Sequence, residues 1–158
     1  MLMLMALLAA TTPAPQPEDT SVPKDAVVIV NSGSTNTASY RIVVAPSGRA
    51  QILIAEQEPA AKTLSSATTE TLFRDVKAAM PLDTIKTEPC MKSASFGTTT
   101  RVRYGGKQSP DLSCSTGAAA ARLSADVDKV TTELAVAPLR RPGGAPHAIV
   151  APSPKPSE

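Results

Sequence analysis

The chain has 158 residues and a mass of 16.3 kDa, with 42% hydrophobic, 3% aromatic and 19% charged residues, a size that suits one modest domain and excludes two large ones. Its net charge of +2 and pI near 8.6 lie too close to balance to argue for nucleic acid or an anionic surface from bulk charge. Fifteen prolines against eight glycines, gathered toward the two ends, mark those ends as tails.

Residues 1–10, MLMLMALLAA, form an apolar run of signal-peptide length, too short to span a bilayer as a helix. No basic segment precedes it, so a start upstream of Met1 is expected, and Ala10 is the preferred last residue before cleavage. Residues 11–24, TTPAPQPEDTSVPK, carry four prolines without apolar periodicity and read as an extended linker. Cys90 and Cys114 are the only two cysteines, and in an exported chain they are expected to pair. Closing that loop would stabilise the fold by roughly 3–4 kcal/mol on the chain-entropy account.

A domain is expected over residues 25–137. Ala26–Val30 and Tyr40–Ala45 read as β-branched strands flanking the turn-forming NSGSTNTAS segment, and Pro46-Ser47-Gly48 leads tightly into a third strand over Ala50–Ala55. These runs are apolar at nearly every position, which predicts a central sheet covered on one face and partly shielded on the other. Glu56–Lys62 reads as a polar loop. A helix is predicted over Ser66–Met80, with serine and threonine caps at its start, Leu72, Phe73, Val76, Ala79 and Met80 at helical spacing, and Pro81 as its stop. Ser93–Gly106 reads as extended, with Val102 and Tyr104 on one face and Arg101 and Arg103 on the other. Gly105-Gly106 predicts a hairpin turn into a return strand over Lys107–Ser113, where Pro110 requires an edge position. Leu123, Val127, Val130 and Leu134 then form one stripe of a second helix over Ala118–Ala135, and residues 138–158 again have tail composition, a proline-rich tail expected to be disordered. The expected class is α+β, an antiparallel sheet of about five strands with both helices on one face, in the order strands, helix, strands, helix.

The residues are poorly suited to most catalytic chemistry. The sole histidine, His147, lies in the proline-rich tail, far from any nucleophile it could serve. Ser21 and Lys24 have the Ser-x-x-Lys spacing, but Pro23 between them opposes the helical turn that would bring them together. Asp126 and Asp128 point to different helix faces, and Glu56 and Glu58 fall in a polar loop, so solvation accounts for both pairs better than acid–base work. Gly33 and Gly105-Gly106-Lys107 are fragments of a phosphate loop, neither completing the pattern. No CxxC spacing or histidine cluster points to a metal, and no cofactor is expected.

Two surfaces are candidates for binding. Arg101, Arg103, Tyr104 and Lys107 form a local basic cluster able to meet an acidic peptide, a polyanion or nucleic acid, with an ordinary solvated strand face as the plain alternative. Ser34, Thr35, Asn36 and Thr37 hydrogen-bond readily, although the same residues are standard turn formers.

The segment PCMKSASFGTTTRVRYGGKQSPDLSC, with the earlier SGSTNTASYRIVV, resembles a group of uncharacterised small exported bacterial proteins over about residues 26–135. The resemblance is carried by Cys90, Ser95, Phe96, Gly97, Pro110, Asp111, Leu112 and Cys114, and implies a secreted domain with paired cysteines rather than any reaction. Small exported protease inhibitors of the emfourin type are similar in size and in hairpin and helix make-up, without a shared motif.

The expected function is a non-enzymatic domain of the periplasm or cell exterior that binds a protein, peptide or envelope component through a loop or sheet edge. It would have neither a nucleic-acid partner nor a membrane span after processing. A protease-inhibitor version is its most concrete form, because a rigid disulfide-tied loop loses little entropy on binding. The alternative is a small secreted hydrolase working through carboxylates.

Overall fold

The structure, a computed structural model, describes residues 22–136. The expected signal peptide over 1–10, most of the linker over 11–24 and the tail over 138–158 lie outside the described residues, as do Ser21 and His147.

Six strands form one antiparallel sheet: β1 (Val27–Asn31), β2 (Tyr40–Val44), β3 (Arg49–Ile54), β4 (Ala60–Thr63), β5 (Thr100–Tyr104) and β6 (Lys107–Gln108), in the spatial order β4-β3-β2-β1-β5-β6. The chain starts in the middle of the sheet and steps outward through β2, β3 and β4. Helix α1 (Ser66–Ala78) then returns it to the other flank of β1, where β5 and β6 add, and α2 (Ala118–Glu133) follows. The class is α+β, as the alternation of strand and helix signals predicts.

Register explains the core. Val27, Ile29, Ile42, Val44, Ala50, Ile52 and Val102 share one face of the sheet and bury against Leu72, Phe73 and Val76 of α1 and Leu123, Val127 and Val130 of α2. Both helices therefore cover the same face. On the opposite face Ala26, Val28 and Val43 form a second, smaller buried cluster with Val22 and Val30 packed beside it, which is why β1 and β2 read as apolar at nearly every position.

Two segments depart from the sequence expectation. The stretch expected as a polar loop, Glu56–Lys62, contains β4, a fully exposed edge strand whose pairing comes from β3 rather than from any hydrophobic pattern of its own. Lys62 donates from Nζ to the Leu134 carbonyl, tying this edge to the end of α2. The return strand expected over Lys107–Ser113 stops after Gln108. Pro110 has no N–H for the ladder, and buried Ser109 ends it with its own side chain: Val102 N donates to Ser109 Oγ at 3.0 Å, and Ser109 N donates to the Val102 carbonyl at 2.8 Å. Gly105 and Gly106, with φ of 55° and 74°, make the predicted tight hairpin turn.

Cys90 and Cys114 are joined, with Cα atoms 5.5 Å apart. The bond is supported on both sides by short backbone pairing, Glu88 N to the Cys114 carbonyl and Thr116 N to the Lys86 carbonyl, each at 2.9 Å. It lashes the long 86–99 connection to the approach of α2.

Candidate functional site

At the end of the sheet where β1 stops and β2 and β5 begin, the two longest loops lean toward α2 and leave a cleft of about 450 Å³. Its floor is Leu112, Val127 and Val136, and its walls carry Tyr40, Phe96, Thr98, Ser124 and Thr131.

Asn31 is the residue that organises this end. It is 7% exposed, and its amide is fully used: Nδ2 donates to Thr98 Oγ1 at 3.1 Å and Thr100 Oγ1 at 2.9 Å, while Oδ1 accepts from Gly33 N at 2.9 Å. One side chain thus fixes both the exit of β1 and the entry of β5. The segment after it closes as a tight turn, with Ser34 N donating to the Thr37 carbonyl at 2.9 Å.

That turn is bound to the opposite loop. Ser34 Oγ donates to the Ser95 carbonyl at 2.8 Å, Asn36 N donates to the same carbonyl at 3.1 Å, and Thr35 Oγ1 donates to the Ala94 carbonyl at 3.2 Å. Below, Asp111 accepts from Thr100 N at 3.0 Å, from Ser113 N at 3.2 Å and from Ser113 Oγ at 2.9 Å, and pairs with Lys92. Burial pushes the Asp111 carboxyl upward, but Lys92 and these donors outweigh it and hold the group below its ordinary value. The cleft wall is accordingly a cross-braced assembly of loops 32–39, 91–99 and 111–114.

The lining is mostly neutral and hydrogen-bonding. Asn31, Thr37, Thr98, Thr100, Ser113, Ser124 and Thr131 supply hydroxyl and amide groups. Among the described residues that line it, Asp128 carries the only formal charge. Burial, with a smaller contribution from the nearby Asp128 carboxylate, raises the Tyr40 phenol above its usual range and keeps it a neutral donor. Phe96 is 54% exposed, an aromatic face turned out at the rim of a braced loop.

The residues expected to form binding surfaces are distributed differently. Of Ser34, Thr35, Asn36 and Thr37, only Thr37 lines the cleft; the other three use their polar groups to hold the 93–96 loop. Arg101 and Arg103 project from the sheet face away from the helices. Tyr104 projects toward them and packs edge-on to Phe73, ring centroids 6.1 Å apart. Lys107, at the far hairpin, donates to Asp83 Oδ2 at 2.8 Å. The basic cluster of the sequence is therefore split between two faces of the sheet.

Sequence reasoning passed over Asn31, Tyr40, Ser124, Asp128 and Thr131 as site residues. A signal existed for three of them: Ser124, Asp128 and Thr131 follow one another by four and three residues, a polar stripe on the same helix as the apolar one.

The carboxylates weighed for catalysis are separated. Asp128 faces the cleft, whereas Asp126 is buried and faces α1, close enough to Asp75 and Arg74 for their charges to act on it. Glu56 and Glu58 are exposed at the β3–β4 connection. Among the described residues no group of three or more histidine, cysteine, aspartate or glutamate side chains is placed to hold a metal, and no helix is long and apolar enough to cross a membrane. Compared with known protein families, curated proteins and solved structures, the chain finds no match.

Proposed function

We propose that the chain is an exported, non-enzymatic binding domain whose recognition site is the cleft rimmed by loops 32–39 and 91–99 and by α2. The observation that carries this reading is the cleft itself: about 450 Å³, floored by aliphatic side chains, walled by hydroxyls, with one aromatic ring presented at its edge. Such a lining suits a neutral polar segment of a protein, peptide or envelope component, bound by hydrogen bonds to the walls and by stacking on Phe96. The Cys90–Cys114 bond supports an oxidising location, periplasmic or extracellular.

The braced rim lowers the entropic cost of binding, since Phe96 is held ready by contacts already made. In its most concrete form the reading is protease-inhibitor-like: loop 91–99 presents a fully exposed Met91 and a half-exposed Phe96 from a disulfide-tied base. Selection of ligands from random-peptide and glycan libraries with the oxidised domain tests it. A selected ligand should lose tenfold or more in affinity against Phe96→Ala and Asp128→Asn while both variants melt with the wild type. Failure to select any ligand, or equal binding by the variants, refutes the cleft.

One observation favours the hydrolase alternative. Asp75 and Asp126 share the seam between the helices and are shifted in opposite directions, Asp75 downward through its hydrogen bond with Arg74 and Asp126 upward through burial and the charge of Asp75. Hydrolysis of chromogenic glycosides or esters by the wild type, lost in Asp126→Asn, would establish that reading in place of binding.

A further inference from the structure

The hydroxyl groups of the cleft wall are not equivalent to free hydroxyls. Thr131 Oγ1 donates back along α2, sharing its proton between the Val127 carbonyl at 2.9 Å and the Asp128 carbonyl at 3.0 Å. Ser113 Oγ donates to Asp111 Oδ1 at 2.9 Å. Both protons are committed within the protein, so what these groups offer a ligand is oxygen lone pairs. Asp128 adds a carboxylate to the same lining, and a carboxylate only accepts.

Among the described residues nothing neutralises Asp128, whose carboxylate makes no hydrogen bond or ion pair with them. On α2 the positions three and four away are Ser124, Ala125, Thr131 and Thr132, so no helical neighbour supplies a cation. The cations of α2, Arg122 and Lys129, act instead on Asp126 at the seam with α1. Of the loops across the cleft, 32–39 has no charged residue and 91–99 has Lys92 alone. Lys92 is already held by Asp111 and the Thr98 carbonyl.

From this arrangement we infer that the cleft receives an arginine side chain carried by an otherwise neutral segment of a partner protein, its guanidinium paired with Asp128. The inference rests on the cleft being the recognition site and adds one charged position to what it recognises. A guanidinium has five N–H donors and no acceptor, the complement of accepting oxygens, and its planar fork matches a carboxylate. It also stacks on aromatic faces, and half-exposed Phe96 presents one in the same cleft. Lysine fits less well, because its compact ammonium lacks both the fork and the flat surface. A nucleic acid is opposed, since the one formal charge among the described lining residues has the sign of a phosphate.

The test uses the oxidised full chain and a blocked glycine-serine-arginine-serine-glycine peptide labelled for fluorescence anisotropy, with counterparts carrying citrulline, lysine or glutamate in place of the arginine. The arginine peptide should bind at least tenfold more tightly than the citrulline peptide, which keeps the shape and loses the charge, and more tightly than the lysine peptide. Asp128→Asn should erase the preference for arginine over citrulline with an unchanged melting temperature, and Asp128→Arg should turn the preference toward glutamate. Asp83→Asn, which removes a carboxylate beside the far hairpin, should leave the arginine preference as it is. Absence of binding by the arginine peptide at millimolar concentration, equal binding of arginine and citrulline peptides, or an undiminished preference in Asp128→Asn overturns the inference. Methylguanidinium binding as tightly as the peptide also overturns it, by removing the need for a partner segment. A library-selected ligand that is lost with Phe96→Ala yet indifferent to Asp128→Asn overturns the arginine assignment while leaving the cleft as the recognition site.

Discussion

Gly33 sits at φ 64°, and a Cβ there would come within 2.6 Å of both Ser39 N and the Thr37 carbonyl. Gly33→Ala therefore combines left-handed backbone strain with a collision against main chain, and should cost about 1–3 kcal/mol while loosening the 34–37 turn. Urea titration measures the first effect and amide exchange in loop 32–39 the second. Asp126 presents the opposite situation, a buried carboxylate whose Oδ2 has no hydrogen-bond partner. Its folded pKa is raised, by burial first and Asp75 second, so the stability it offers is complete below the ordinary aspartate value and is lost as pH rises through the folded one. Asp126→Asn should stabilise the protein by roughly 1 kcal/mol at neutral pH and flatten that part of the pH profile. Asp111 behaves in the reverse sense. Its folded pKa is lowered, so its contribution is present above the ordinary value and disappears as pH falls through the folded one. Asp111→Ala should cost about 2 kcal/mol at neutral pH and much less in acid. Thermal melts of the three proteins from pH 2 to 7 decide both signs.

Among the elements, α1 has the most readable start. Ser65 is its N-cap, its Oγ accepting from Thr68 N at 3.3 Å, and Glu133 at the end of α2 reaches across to Ser65. Hydrogen bonds from the Thr68 side chain first, and then from Ser65, hold the Glu133 carboxyl below its usual range. Ser65→Ala should cost about 1 kcal/mol, read by urea titration, because it removes a cap and part of the tie between the helices. The elements legible in the sequence were those with their own periodicity: β1, β2 and β3 as β-branched runs, α1 and α2 as apolar stripes, and the Gly105-Gly106 turn. Strand β4 was hidden because AAKT has no strand preference, and its conformation is imposed by pairing with β3. The early end of β6 was half visible, Pro110 giving the reason and the ladder-mimicking Ser109 hydroxyl being a tertiary fact. The cleft was harder still. Asn31 lies at the end of a strand and Thr131 on the second helix, and nothing local indicates that loops 32–39 and 91–99 fold over the same space. The Ser34–Thr37 stretch reads as a candidate binding surface in the sequence, yet most of its polarity is spent on holding Ser95 and Ala94.

For the molecule as a whole, one helix-covered sheet face supplies most of the core, and the loops at one end are held by the disulfide and by Asp111. Replacing both cysteines, Cys90→Ser/Cys114→Ser, should cost roughly 2–4 kcal/mol without changing the sheet, and should weaken cleft binding by freeing the 91–99 rim. Unfolding by urea and far-ultraviolet circular dichroism separate the two consequences. The central claim, that recognition occurs in the preformed cleft, is tested most directly by hydrogen–deuterium exchange of the oxidised domain with and without a library-selected ligand. Added protection should concentrate in residues 32–39, 93–100 and 124–131. Protection confined to the helix seam around Asp75 and Asp126, or its absence from those three segments at saturating ligand, would contradict the claim.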